Sequence, residues 1–397
     1  MLLREAAALL QAGRLDEAEP LLRRALARNP SSADAHNLFG VLQDRRGRFR
    51  EAEAAYREAI RLLPRAVSAR ANLGVLLARA GRAAEAVAVF EEVLRLAPGH
   101  PPATFNLGLA LYSLGRHEEA AALLESPPAL AQNAPEALYH LGLIAAARGR
   151  AEEAASYWQR ALELRPRYPE VNFALAEELR RQRRHEGAAE FYGRALEQDP
   201  SKPVYHVRLG GALMLLSRYD RALEVFRRAA ERFPDSAELR YFEGIAARGT
   251  GAYQEAEAAL RRSLALRPES VDATAQLGFV VGELGRTEEA EGLLRRAVAL
   301  DARHFYAHLD LGRLLVRARR FEEALPVLRA AAELRGRDPG VRYQLFIALS
   351  RLRRKEEAER ELSLFKRLEE ERKARRGADD GEQVEDALPR PEGAEPG

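Results

Sequence analysis

Apolar residues recur along the chain at helical spacing in short runs, each closed by a turn before the next begins. Over residues 67–100, Leu73, Val75, Leu76 and Leu77 mark one apolar helical stretch, which Gly81-Arg82 interrupts. Ala86, Val89, Phe90, Val93 and Leu94 mark a second, and Pro98 ends it, because proline lacks the donor that a continuing helix needs. The pattern predicts a helical hairpin, and a shift of 34 residues lays the next hairpin onto it. Ala18, Ala52, Ala86, Ala120, Ala154, Ala188, Ala222, Ala256, Ala290, Ala324 and Ala358 form a ladder without exception. Gly40, Gly74, Gly108 and Gly142 form another, which skips at Ala176 and resumes at Gly210, Gly244, Gly278 and Gly312. Pro30, Pro64, Pro98, Pro166, Pro200, Pro234 and Pro268 form a third.

Each ladder has a physical reason. Gly74 and Ala86 are small because the two helices of a hairpin approach closely there, and Gly81 suits a tight turn with unusual backbone angles. Glutamates open the second helices, as at Glu118-Glu119, Glu152-Glu153, Glu288-Glu289 and Glu322-Glu323, where the helix dipole favours negative charge. The frame divides the chain into units 1–32, 33–66, 67–100, 101–134, 135–168, 169–202, 203–236, 237–270, 271–304, 305–338 and 339–372. After Phe365 the stop proline is missing and a polar helix continues, so residues 373–376 end a C-terminal capping helix. Residues 377–397 carry seven acidic residues against Arg390 with glycine and proline throughout, which predicts a disordered acidic tail.

The frame also has faults. Pro127-Pro128 falls where the last turns of a second helix belong, so that helix should stop near Glu125 and leave residues 126–136 as an irregular connector. Pro20 and Pro326 lie near the starts of second helices and are tolerable. Glycine is missing from the turns at Arg183, Ser217, Arg319 and Arg353. The first unit opens at Met1 with no capping residue before it.

The repeat resembles the tetratricopeptide repeat family. The resemblance rests on Leu-Gly, a small residue twelve on, an aromatic or leucine, an alanine and a proline: Leu141-Gly142, Ala154, Trp158, Ala161 and Pro166 in one unit. It implies an all-α solenoid of about eleven hairpins in a right-handed superhelix, with first helices lining a concave groove that holds peptide segments. The strict period of 34 disfavours the pentatricopeptide RNA binders, whose units are one residue longer.

Composition narrows the function. The chain has 63 basic and 60 acidic residues, a net charge of +3, which gives no strong basic excess for nucleic acid. Cysteine is absent, so disulfides, thiolate metal sites and a cysteine nucleophile are excluded. No apolar run reaches the ~18 residues of a membrane span, and no signal peptide is visible. A cytoplasmic location is expected, periplasmic or exported only if an upstream start supplies a signal. The excess of arginine over lysine points to a GC-rich, bacterial genome. Gly249-Thr250-Gly251 is a turn without the strand that a phosphate loop requires. His304 and His308 lack a third ligand, while His36, His206 and His308 share one helix-face position with Arg70, Thr104 and Leu138 that reads as interhelical packing. No catalytic constellation, metal site or cofactor is expected.

The candidate site is a face of the first helices. Asn37, Ala71, Phe105, Tyr139, Phe173, Val207, Tyr241, Ala275, Leu309 and Tyr343 repeat at one position. Val41, Val75, Leu109, Leu143, Glu177, Gly211, Ile245, Phe279, Arg313 and Ile347 follow four residues later on the same face. Two readings stand: packing between repeats, or an apolar, aromatic-lined groove for a peptide built on Asn72, Phe105, Asn106, Leu109, Tyr139, Leu143, Phe173, Tyr241, Ile245 and Tyr343. The Lys–Asn pairs of chaperone-tail receptors are absent. Asn72 and Asn106 resemble the peptide-holding asparagines of the solenoid in O-linked glycosyltransferases, but that ladder breaks at His140, and no catalytic domain follows. Arg180, Arg181, Arg183 and Arg184 form the densest basic run, either a solvated turn or a dock for an acidic partner or the chain's own tail. A noncatalytic protein-interaction scaffold with a protein or peptide ligand is the expectation. The alternative is the recognition or assembly subunit of a glycosyltransferase or secretion system whose catalytic part is separate. Oligomeric state is left open.

Overall fold

A computed structural model describes residues 1–376 and contains 22 α-helices and no strand among them. The acidic segment 377–397, expected to be disordered, lies outside the described residues. The chain divides into two compact units, with the division between Leu175 and Ala176. The first holds α1 (Leu2–Gln11), α2 (Leu15–Arg28), α3 (Ala33–Arg45), α4 (Phe49–Leu62), α5 (Val67–Arg79), α6 (Ala83–Leu96), α7 (Pro101–Ser113), α8 (His117–Leu124), α9 (Pro127–Ala147) and α10 (Ala151–Leu164). α11 (Pro169–Arg181) contains the division. The second unit continues through α12 (His185–Gln198), α13 (Pro203–Leu215), α14 (Tyr219–Arg232), α15 (Ala237–Gly249), α16 (Tyr253–Leu266), α17 (Val271–Glu283), α18 (Thr287–Leu300), α19 (Phe305–Arg317), α20 (Phe321–Leu334), α21 (Pro339–Arg351) and α22 (Lys355–Arg376). Within each unit, odd-numbered first helices pair with even-numbered second helices and also touch the next first helix. Each unit is therefore an α-solenoid of stacked hairpins.

The glycine ladder marks the closest approach inside each hairpin. A Cβ added to Gly74 would lie 2.6 Å from the Phe90 ring, one on Gly142 2.2 Å from Trp158 Nε1, and one on Gly210 2.2 Å from Phe226 Cζ. The ring therefore packs directly against bare backbone. The indole of Trp158 is buried and donates its N–H to the Tyr139 carbonyl at 3.1 Å. The alanine ladder seals the other side, with ten of its members at 0% exposure and Ala358 at 4%. Ala176 breaks the glycine ladder opposite Tyr192, whose phenol instead donates to the Glu177 carboxylate.

Turn geometry follows a second rule. Gly13, Gly47, Gly81, Gly115 and Gly149 all have φ near +73°. Arg183, Ser217, Arg319 and Arg353 keep the same left-handed turn without glycine, at φ of +57°, +55°, +61° and +60°. The turn is thus imposed by hairpin packing even where its residue is unfavourable.

The double proline acts differently from expectation. α8 does stop at Leu124, with Glu125 as its C-cap, but residues 126–136 are not an irregular connector. Pro127 and Pro128 occupy the first positions of α9, where a missing N–H costs nothing. The break comes at Asn133 (φ −161°, ψ 81°), and the helix restarts with Pro135 near its new N-terminus. Pro20 and Pro326 lie inside α2 and α20, which remain continuous.

The shared histidine position does more than pack. His36, His206 and His308 each donate Nε2–H to the carbonyl six residues earlier, on Pro30, Pro200 and Ala302, at 2.8, 3.2 and 3.0 Å. Arg342 does the same to Gly336 at 2.9 Å. A polar side chain here clamps the loop that links one hairpin to the next.

Two variants separate the roles of the small residues. Gly210→Ala overpacks the hairpin against Phe226 and should lower stability by about 1–3 kcal/mol. Ser217→Gly relieves a left-handed turn and should raise it by about 0.5–1 kcal/mol. Urea melts followed by far-ultraviolet circular dichroism read both, and equal signs would refute the assignment.

Candidate functional site

In the first unit the candidate residues sit on α5, α7, α9 and the start of α11. Asn72 donates its amide to Asn37 Oδ1 at 3.0 Å, and Asn106 donates to the Pro102 carbonyl at 2.7 Å. Both amides thus have internal partners, and the two are not joined in one hydrogen-bonded ladder. Phe105 is buried, at 7% exposure, so it supports the face from beneath instead of forming part of it. Leu109, Tyr139, Leu143 and Phe173 are half-buried. They present apolar area on successive first helices.

Sequence reasoning missed the polar cluster beside Tyr139. Tyr168, buried in the turn before α11, donates its hydroxyl to Glu136 Oε2 at 2.5 Å. His140 Nε2 and Arg165 Nη1 both lie 3.7 Å from the same carboxylate. The Arg165 guanidinium sits 4.6 Å over the Tyr168 ring, and Tyr139 packs against Tyr168 at 5.5 Å and His140 at 5.1 Å. Tyr112 meets the other side of His140 at 4.9 Å. Hydrogen bonding to His140, then to Tyr168, holds the Glu136 carboxyl below the ordinary carboxylate range despite partial burial. Burial and the Glu136 charge push the Tyr168 phenol well up. This carboxylate fastens the α10–α11 turn to α9 beside the Tyr139 ring. Glu136 and Tyr168 lie at the α9 break and in a loop, off the repeating face positions, so periodicity had no means of marking them.

In the second unit the face is mixed. Tyr241 is buried at 7% exposure, while Ile245 is half-buried and Tyr343 is open at 42%. Tyr343 packs against Phe365 at 5.2 Å and Phe346 at 6.3 Å. Sequence reasoning placed Arg313 on this face but left Arg248 out of it. Arg248 lies 4.9 Å over the Phe279 ring and donates to Gln276 Oε1 at 2.6 Å. Arg313 reaches the buried Asp310 at 3.3 Å, and burial outweighs that partner and raises the Asp310 carboxyl above its ordinary range. Arginine stacked on an aromatic ring and arginine paired with a buried acid give this face a charged character.

The basic run is largely neutralised. Arg180 pairs with Glu177 at 3.2 Å and Arg181 with Glu178 at 2.5 Å. Arg208 also reaches Glu177, at 2.9 Å. Arg183 is the left-handed turn residue, and Arg184 precedes α12 as its N-cap. The four do not form one open positive patch. His304 caps α19 through Nδ1, accepting from the Ala307 amide at 3.0 Å, and turns Nε2 to Asp272 at 3.0 Å. Among the described residues no group of three or more histidine, aspartate or glutamate side chains is placed to hold a metal, and no helix is long and apolar enough to cross a membrane.

Comparison with known proteins agrees with the hairpin architecture. A family model for the C-terminal domain of cilia and flagella-associated protein 70 matches residues 164–387. Tetratricopeptide repeat models match residues 1–65, 38–101, 77–143 and 135–168. Among solved structures, pilF of Pseudomonas aeruginosa is 20% identical, with a TM-score of 0.46 over 55% of this chain and 98% of its own. YrrB, described as a TPR protein with an unusual peptide-binding site, is 22% identical, with a TM-score of 0.40 over 46% of this chain and 95% of its own. MamA is 21% identical, with a TM-score of 0.37 over 41% and 94%. No curated protein matches the chain significantly.

The Glu136 cluster gives a pH test. A carboxyl held low in the folded chain stabilises it above the unfolded value near ~4.3, and that contribution is lost as pH falls through the folded value. Glu136→Gln removes it. The melting temperature of the variant should lie below that of the parent at pH 7, and the gap should close as pH drops below about 4. A gap independent of pH would show that the Glu136 charge contributes nothing.

Proposed function

The chain belongs to the tetratricopeptide repeat family, and from that premise we propose that it is a noncatalytic protein-interaction scaffold that holds peptide segments against its first helices. The observation that carries this reading is the half-buried apolar stripe at the second repeating position. Leu109 and Leu143 form it in the first unit, and Ile245, Phe279 and Ile347 in the second. A residue needed only for packing between repeats is expected to be buried, as Phe105 and Tyr241 are. These residues keep exposed apolar area on successive helices, the arrangement that peptide recognition uses. Polar groups beside the stripe supply direction in the second unit, where Arg248 and Arg313 lie.

The reading is tested by comparing Leu143→Arg with Trp158→Ala. Leu143→Arg should abolish capture of a peptide ligand selected from a display library on the intact chain, with a melting curve within about 0.5 kcal/mol of the parent. Trp158→Ala removes a buried ring and should cost about 3–5 kcal/mol in folding. If Leu143→Arg destabilises the chain as strongly as Trp158→Ala, the stripe is packing and the groove reading fails.

A further inference from the structure

Five seams between consecutive second helices, four of them in the second unit, are bridged by a repeated ion pair. An arginine on one helix reaches a glutamate in the first turn of the next, 28 positions later. Arg57 meets Glu85 at 3.9 Å, Arg227 meets Glu255 at 2.9 Å, Arg295 meets Glu323 at 3.5 Å, and Arg329 meets Glu357 at 2.9 Å. Arg261 and Glu289 make the same pair.

One seam of the second unit departs from this. Between α12 and α14 the two positions hold Gly193 and Arg221, and a cleft of about 820 Å³ opens there. A Cβ added to Gly193 would meet nothing within 4 Å. Glycine is disfavoured inside a helix, and a cation is disfavoured in its first turn. Both local preferences are broken at one seam, where the ion pair between the two helices is instead Arg218 with Glu186 at 2.6 Å. Chains break such rules where another requirement acts.

The cleft has a definite chemistry. Leu209, Leu213 and Val225 supply apolar wall, and Arg221 and Arg232 line it as exposed guanidiniums. Neither arginine is ion-paired among the described residues, whereas Arg194 and Arg228 are taken by Glu190 and Glu224. Glu197 also lines the cleft, and it repels a ligand that is acidic at every position.

We propose that this cleft is the docking site of the chain's own acidic segment, residues 377–397. The complementarity is specific. Glu382, Glu385 and Asp386 offer carboxylates to Arg221 and Arg232, Val384 and Leu388 offer apolar side chains to the wall, and Gln383 and Ala387 dilute the charge that would face Glu197. The segment follows directly on α22, and its 21 residues span up to about 70 Å when extended. Arg180 and Arg181, spent on Glu177 and Glu178, compete weakly for it. This site is separate from the first-helix face and does not depend on its reading.

The absence of cysteine makes the test clean in the full chain. A Glu197→Cys/Glu385→Cys double variant should form an intramolecular disulfide under mild oxidation about tenfold faster than an Arg181→Cys/Glu385→Cys control. Gly193→Glu, which gives Arg221 an internal carboxylate and narrows the cleft, should abolish that advantage while the melting temperature holds or rises. Excess free peptide of residues 377–397 should slow the link. Equal rates at the two sites, survival of the link in Gly193→Glu, or a link formed only between two chains would each overturn the proposal.

Discussion

The molecule depends on a contact between a bare backbone position and a large side chain sixteen residues later. Gly74 beneath Phe90, Gly142 beneath Trp158 and Gly210 beneath Phe226 let the two helices of a hairpin approach closely enough for the ring to lie on the helix itself. Because that spacing is fixed, the residue packed beside the ring must be small, and the alanine ladder is buried throughout. The connecting turn must also be short and left-handed, which is why Arg183, Ser217, Arg319 and Arg353 adopt positive φ without the freedom of glycine. Dispersion and burial at this contact outweigh the surface ion pairs, which contribute about 0–1 kcal/mol each.

With the cores so arranged, side chains away from them differentiate the repeats. At one position of the first helices a histidine or arginine clamps the preceding loop, as His36, His206, His308 and Arg342 do. Four-residue spacing along the same helices leaves Leu109, Leu143, Ile245 and Phe279 partly open. In the first unit the Glu136 carboxylate, bonded to Tyr168 and near His140 and Arg165, lies among the aromatic residues next to that stripe. In the second, Arg248 on Phe279 and Arg313 at the buried Asp310 give it a charged character. The same hairpin thus carries two different surfaces.

The arginine content has a structural use. Arg82 spans Glu85 at 2.6 Å and Glu53 at 2.8 Å, and Arg320 spans Glu323 at 2.6 Å and Glu291, so one planar guanidinium ties a second helix to its own first turn and to the preceding hairpin. Lysine, a single charge on a flexible stem, cannot make that fork. Arg221 is conspicuous because its repeat equivalents are glutamates at every position but Gly187.

Most of the fold was legible in the sequence because the determining contacts are local. A glycine and the side chain sixteen residues on, an alanine and a turn all fall within one 34-residue unit, so their spacing repeats and can be counted. The hairpins, the short α8 and the glycine-free turns followed from that. Sequence could not distinguish Phe105 and Tyr241, buried at 7% exposure, from Leu143, which stays half open, because all lie on the same periodic face. Exposure there depends on the side chains of the neighbouring hairpins. Nor did spacing disclose that Asn72 and Asn106 already have internal partners, that Glu177 and Glu178 neutralise the basic run, or that Pro127 begins a helix and Asn133 breaks it. Each of these depends on which side chains meet once the hairpins stack, and only the tertiary structure decides that.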